Sequence, residues 1–113
     1  MFDNLRQFAG LMTQMPKIKA EMERLEQRRG EVVAEGDAGA GMVKVRVTGR
    51  MEVQACTLSD EALRLGDREM LEELIKSATN QALEKARQLM LEETNKTMSA
   101  LGLPAGINLP GLG

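Results

Sequence analysis

The sequence lacks the side chains on which most enzymes and metal sites depend. Its 113 residues contain no histidine, tryptophan or tyrosine, and they contain one cysteine, Cys56. Without histidine there is no Ser-His-Asp or Cys-His pair, and a single cysteine forms neither an internal disulfide nor a cysteine metal cluster. We therefore predict no enzyme activity, with no catalytic residue, cofactor, metal or small-molecule substrate.

Long apolar runs are also missing. The longest fall far short of the roughly 20 residues that a membrane span requires. Residues 1–4 lack the basic and apolar regions of a secretion signal. These absences predict a reduced, cytoplasmic protein without a membrane partner.

Charge is present in both signs but is unevenly distributed. The chain has 15 Lys and Arg against 17 Asp and Glu, for a formal net charge of −2. Residues 1–29 nevertheless contain six bases and four acids. An N-terminal segment of this kind permits an anionic partner at one end of the protein.

The N-terminal pattern predicts a helix from about Asp3 to Arg29. Apolar residues recur at alternating spacings of three and four, as in a coiled-coil heptad. This apolar seam, called the seam below, consists of Phe8, Leu11, Met15, Ile18, Met22 and Leu25. Pro16 removes one backbone donor from the helix, so we expect a kink or a local break there.

The middle of the chain changes to the alternation of β-strands. We expect a short strand over residues 31–35, a flexible glycine-rich turn over 36–41, and two further strands that end near Leu58. Because strands follow the glycines, a hairpin explains that turn better than a phosphate-binding loop, which needs a helix there. Cys56, within the third strand, is interpreted as a small buried hydrophobe.

A second long helix is predicted from the Asp67 N-cap to about Leu101, with Gly102 as its stop. The fold class is thus α+β: a long N-terminal helix, a three-stranded antiparallel sheet and a long C-terminal helix. Residues 1–102 form one α-β-β-β-α domain, and residues 103–113 form a tail that contains proline and glycine.

The predicted helices are too long for a compact monomer. Helices of about 27–34 residues extend roughly 40–50 Å, whereas a compact domain of this size has a radius of gyration of about 13 Å. Their apolar stripes would remain partly wet in a single chain. A two-fold homodimer is the simplest arrangement that covers them.

Basic residues gather on one side of the first helix. Arg6, Lys17, Arg24 and Arg28 fall within about 40° of each other and about 135° from the seam, so we expect them to face solvent. Lys76 and Arg87 form a weaker pattern on the second helix. A merely solvated helix face remains the alternative. If these bases bind nucleic acid, the lack of Trp and Tyr favours contacts to duplex phosphates over stacking on single strands.

Five short motifs, in order along nearly the whole chain, resemble the YbaB/EbfC family of bacterial nucleoid-associated proteins. They are Leu11-Met12-Thr13-Gln14-Met15, the glycine-rich stretch 36–45, the acidic stretch 67–74, Ala78-Thr79-Asn80-Gln81-Ala82 and the tail 103–110. Pro16 departs from the family's usual Gln/Met-rich helix, and Ala105 stands where the family often has proline.

The resemblance implies a tweezer-like homodimer that binds double-stranded DNA, is located in the cytoplasm on the nucleoid, and acts in chromosome organisation and gene expression. On this basis we expect Arg6, Lys17, Arg24 and Arg28 to contact phosphates, with Lys76 and Arg87 as secondary candidates. The alternative function is a protein-interaction adaptor that uses the exposed Met-rich helices. Salt dependence separates the two, because phosphate contacts weaken steeply with salt.

Overall fold

The chain folds into a helix, a three-stranded antiparallel sheet, a short helix and a second long helix. The computed structural model describes residues 2–103. In chain order the elements are α1 (Phe2–Glu31), β1 (Val33–Ala38), β2 (Val43–Thr48), β3 (Val53–Leu58), α2 (Asp60–Arg64) and α3 (Arg68–Ala100). The predicted α+β fold is confirmed. The tail predicted over 103–113 lies outside the described residues beyond Leu103.

The ends of α3 follow the predicted signals. The Asp67 side chain accepts a hydrogen bond from the backbone N–H of Met70 at 3.1 Å, as an N-cap does. At the other end Gly102 adopts a φ of +74°, and the Leu103 N–H donates to the Met98 carbonyl at 2.8 Å. This left-handed glycine reverses the chain after the helix.

The strands lie in the order β1-β2-β3, with neighbours antiparallel. Val45 of β2 stands opposite Gly36 on one side and Cys56 on the other, and the register of β2 and β3 shifts between Arg46 and Val47. One face of β2, formed by Val43, Val45 and Val47, is fully buried. Its other side chains, Lys44 and Arg46, are exposed.

The first hairpin corrects the predicted boundaries. Glu31 ends α1, and the first strand, predicted over residues 31–35, instead runs from Val33 to Ala38, so residues 36–38 belong to β1 and not to a flexible turn. Small residues alternate inward along β1: Ala34, Gly36 and Ala38 are buried. The turn begins only at Gly39, and the Asp37 carboxylate accepts a hydrogen bond from the Gly41 N–H at 2.7 Å.

Two apolar clusters connect the elements. In the first, Ala78, Ala82 and Ala86 of α3 pack on the buried faces of β1 and β2. In the second, Leu25 of α1 packs with Val32, Met90 and Met98, so the C-terminal ends of both long helices lie together. Because the buried residues of α3 in the first cluster are these small alanines, the backbone of the helix lies close to the sheet.

Helix α1 extends beyond the rest of the chain. The described part measures 74 × 20 × 16 Å, and its radius of gyration of 20.5 Å exceeds the roughly 13 Å of a compact chain of this length. Every described side chain from Asp3 to Lys17 is exposed. The prediction that the long helices extend past the sheet is thus confirmed for α1.

Pro16 does not divide α1. The helix is continuous from Phe2 to Glu31, so of the kink or local break predicted at this residue the break does not occur. The proline leaves only the carbonyl of Met12 without its usual helical donor. Because Met12 and Pro16 are both exposed, water can hydrate that carbonyl at little cost.

Cys56 is exposed, so its interpretation as a buried residue was wrong. Its partner in the sheet is Val45, which places it on the same face as the buried valines. The apolar cluster under α3, however, reaches β3 only at Leu58. The rest of the inward-facing side of β3 is uncovered, and Val53 on it is 54% exposed.

Candidate nucleic-acid interface

The six predicted contact residues occupy three different places. Arg6 and Lys17 lie on the projecting half of α1. Arg24 and Arg28 lie where α1 meets α3, and Lys76 and Arg87 lie on the exposed side of α3. The structure therefore does not bring all six into one continuous patch.

The projecting half of α1 carries cations without anionic partners. Arg6, Lys17 and Lys19 form no ion pair with any residue from 2 to 103. Between residues 2 and 20 the only acid is Asp3. This half of the helix is therefore positive on a chain whose net charge is negative, and its cations are free to contact an external anion.

Arg24 and Arg28 behave differently, because both point toward Glu93 of α3. Arg28 donates a hydrogen bond from Nη2 to Glu93 Oε1 at 3.1 Å, and Arg24 Nη1 lies 3.7 Å from Glu93 Oε2. Arg24 also donates from Nη2 to the Thr97 hydroxyl at 3.2 Å. The four bases on one side of α1 were expected to face solvent. For Arg24 and Arg28 this was wrong, because both side chains contact α3 and connect the two helices.

Glu93 is the functional residue that sequence reasoning missed. It is only 6% exposed, although it is a carboxylate. The hydrogen bond from Arg28 lowers the pKa of Glu93 more than burial raises it, and the charges of Arg28, Lys96 and Arg24 lower it further. The signal was present in the sequence, since Glu93 lies at a helical spacing from Ala82, Ala86 and Met90 that places it on the buried stripe.

The Glu93 carboxylate limits how freely Arg24 and Arg28 can contact an external anion. Their side chains are still about two-fifths exposed, although Arg24 also pairs with Glu21 and Arg28 with Glu31. If both are replaced by alanine, Glu93 keeps only Lys96, at 3.6 Å. A buried carboxylate that loses its partners destabilises a fold, so that double substitution does not test DNA contacts cleanly.

The secondary candidates form local surface pairs. Lys76 Nζ lies 3.0 Å from Glu73, and Arg87 Nη1 lies 3.0 Å from Glu84, each one helical turn away. Hydrogen bonds from Gln88 and from Arg87 lower the pKa of Glu84. Exposed pairs of this kind contribute little to stability, and both bases remain reachable from solvent.

The described residues lack two kinds of feature, a metal site and a membrane-spanning helix. Within residues 2–103 no three Cys, Asp or Glu side chains are grouped so as to hold a metal ion. Neither long helix, over that same range, contains a stretch apolar enough to cross a lipid bilayer.

The ionisation of Glu93 gives a testable pH dependence. Because its pKa in the folded state is below the usual 4.5, the carboxylate stabilises the fold above that pH, and this contribution is lost as the pH falls through the folded-state pKa. We expect Glu93→Gln to lower the free energy of unfolding at pH 7 and to flatten the loss of stability below about pH 4.5. Urea denaturation between pH 7 and pH 3 measures both effects.

The matched control is Glu73→Gln, which removes an exposed carboxylate paired with Lys76. It should leave the acid limb of the stability profile almost unchanged. An acid limb in Glu93→Gln as steep as that of the natural chain would contradict the role given to this carboxylate.

Comparison with known proteins agrees with the sequence resemblance. The model of the YbaB/EbfC DNA-binding family matches residues 4–101. A nucleoid-associated protein of Nitrobacter hamburgensis is 35% identical over 102 residues, which cover 90% of this chain and 96% of that protein. One from Granulibacter bethesdensis is 37% identical over 106 residues, covering 94% and 99%.

A solved structure supports the same fold. The crystal structure of an uncharacterized protein from Helicobacter pylori superposes with a TM-score of 0.66 at 24% sequence identity, covering 84% of this chain and 97% of that one. The match of the family model across nearly the whole described chain, together with the full-length relatives, shows that this chain belongs to the YbaB/EbfC DNA-binding family.

Proposed function

We propose that this protein binds double-stranded DNA on the nucleoid as a homodimer, mainly through phosphate contacts, and acts in chromosome organisation and gene expression. The observation that carries the proposal is the projecting, positive half of α1 in a chain of a DNA-binding family. An exposed helix with unpaired cations suits a polyanion, whose phosphates release counterions on binding.

Within this proposal Arg6 and Lys17 are the main phosphate contacts. Arg24 and Arg28 contribute at the base of the projecting helix, with part of their charge directed to Glu93. Lys76 and Arg87 remain secondary contacts on α3. No aromatic side chain other than Phe2 and Phe8 is present, so stacking on splayed bases has little support.

The homodimer is proposed to form through β3. Side chains of α3 cover the outer edge of β1. Lys85 donates to the Glu35 carbonyl at 2.9 Å, and Gln81 accepts from the Asp37 N–H at 3.3 Å. The outer edge of β3 has no such cover from the described residues. An antiparallel β3 pair about a two-fold axis would continue the sheet and leave two α1 helices as prongs.

Apolar side chains support this choice of face. Val53 and Cys56 of β3 are exposed on the inward side of the sheet, and Leu63 of the adjoining α2 is 62% exposed. A second copy placed on β3 would bury the same apolar groups on both copies. Burial of one patch on each subunit stabilises an isologous interface.

Duplex binding by Arg6→Gln/Lys17→Gln tests the DNA contacts. We expect this double variant to bind duplex DNA more weakly, with the slope of log affinity against log salt reduced by about 0.9 for each phosphate that the protein no longer neutralises. Preferred and random sequences should suffer alike, since phosphates carry no direct sequence information. Fluorescence anisotropy with a labelled duplex, between about 50 and 200 mM salt, measures the slope.

The control replaces two other exposed bases by the same change. Arg64→Gln/Arg68→Gln removes equal charge from α2 and the start of α3, on elements separate from the projecting helix. An unchanged slope in Arg6→Gln/Lys17→Gln, or an equal reduction in the control, would contradict the proposed contacts. The adaptor alternative predicts weak salt dependence throughout.

A further inference from the structure

The seam on α1 is covered at one end only. Leu25 is 1% exposed and Met22 is partly buried, both against α3. Toward the N-terminus Phe8 is 63% and Leu11 is 52% exposed, and Met15 is also exposed. The same apolar stripe therefore continues as exposed side chains from Met15 to Phe8, for about two helical turns.

The cover stops because α3 ends. The two helices run antiparallel where they touch, since Arg24 lies beside Thr97 and Arg28 beside Glu93. Helix α3 ends at Ala100, next to the Met22 turn of α1. From Met15 toward the N-terminus the seam lies beyond the reach of α3, and its side chains are exposed.

The described part of the chain ends at this same point, and the tail sequence begins there. Leu103 packs on the cluster of Leu25 and Met98, directly after the chain reversal at Gly102. Residues 104–113 follow it, ten residues that could extend roughly 33 Å. The seam from Ile18 to Phe8 is about 15 Å long, so the tail is long enough to follow it.

The composition of the tail suits an apolar groove. Residues 104–113 include Ile107, Leu109 and Leu112 and contain no charged side chain. Pro104 and Pro110 reduce the conformational freedom that docking must remove. Tethering the tail beside the seam also supplies an effective concentration in the millimolar range, which a free partner does not have.

We propose that residues 104–113 dock in cis on the exposed seam of α1, with Ile107, Leu109 and Leu112 against Phe8, Leu11 and Met15. Charge favours the tail over a second copy of α1. Residues 4–20 contain three bases and no acid, so pairing two seams would bring like charges together, whereas the tail adds none. Arg6 and Lys17 lie on the other side of the helix, about 135° from the seam, and stay available to DNA.

Paramagnetic relaxation in solution tests this docking. A nitroxide is attached at Gly113→Cys in a Cys56→Ala background, which leaves one thiol in the chain. We expect the amide signals of residues 5–18 to be broadened in uniformly labelled protein, and signals of α2 to be unaffected. In a mixture of spin-labelled chains without ¹⁵N and ¹⁵N chains without the spin label, the broadening should be absent.

Serine substitutions supply the matched comparison. Ile107→Ser/Leu109→Ser/Leu112→Ser should abolish the broadening and increase the fluorescence of the hydrophobic dye ANS several-fold, whereas Ala105→Ser/Asn108→Ser should change neither. Helical circular dichroism should be equal in both variants, because neither changes a residue of α1, α2 or α3.

Three results would overturn the proposal. They are a lack of broadening over residues 5–18, broadening that appears only in the mixed sample, and broadening that survives the apolar-to-serine change. The second result would assign the seam to the tail of another copy. All measurements are made without DNA, so their failure leaves the proposed function untouched.

Discussion

Replacing Gly36 by alanine is expected to destabilise the protein by about 3 kcal/mol or more, a large part of the stability of a small domain. A Cβ at this position would overlap the carbonyl oxygen of Ala78 and lie 2.8 Å from the backbone nitrogen of Ala82. Both are backbone atoms of α3, so no side-chain rotation relieves the clash. The helix would have to move away from β1, and the alanine stripe would lose its packing.

The same substitution elsewhere has the opposite sign, which gives a control. Gly10 lies within α1, and a Cβ there meets nothing within 4 Å. Gly10→Ala should therefore stabilise the protein by about 0.5–1 kcal/mol through helix propensity. Urea denaturation followed by circular dichroism measures both variants. A Gly36→Ala protein within about 1 kcal/mol of the natural chain would show that β1 and α3 are not in backbone contact.

Gly36 also shows where pattern reading went wrong. The run from Gly36 to Gly41 was interpreted as one loop, because glycine and aspartate commonly mark turns. The buried alternation of Ala34, Gly36 and Ala38 is an equally regular β pattern built from small residues. Small side chains are needed there because the α3 backbone approaches at Ala78 and Ala82, more than 40 residues along the chain from Gly36. Periodicity within one segment cannot display such a constraint.

The longer elements were easier to predict, because their signals are local. Each of these signals acts within a few residues: the Asp67 cap, the left-handed Gly102 and the valine alternation of β2. The structure has the helix start, the helix end and the strand that they predict. Side-chain direction at the site was harder. A helical wheel placed Arg24 and Arg28 away from the seam, but it could not show that Glu93 would approach them from a second helix.

The proposed assembly explains why an uncovered β3 is tolerated. Its free edge and its exposed Val53 and Cys56 would be a liability in a lone chain, since open edges invite pairing with other chains. A dedicated partner for that edge removes the liability. Two copies would also present two positive helices to one duplex, so that binding of the second helix becomes intramolecular.

Cys56→Asp tests this arrangement and is expected to have the largest effect on DNA binding. In the single chain Cys56 is exposed, so a carboxylate there should be tolerated by the folded monomer. In a β3-paired dimer the same carboxylate would be desolvated beside the apolar face, which is costly for an unpaired charge. Light scattering should therefore give about twice the chain mass of 12.4 kDa for the natural protein and the single-chain mass for the variant.

Loss of the dimer should weaken duplex binding by about a hundredfold or more, since avidity from two linked sites commonly contributes a factor of 10²–10⁴. Thr57→Asp is the matched control, because it adds the same charge to the same strand on the opposite face, where Thr57 pairs with the exposed Lys44. That variant should remain dimeric and bind DNA within a few-fold of the natural chain. A dimeric Cys56→Asp protein would move the interface away from β3. A monomeric one that binds DNA undiminished would show that each chain acts on DNA alone.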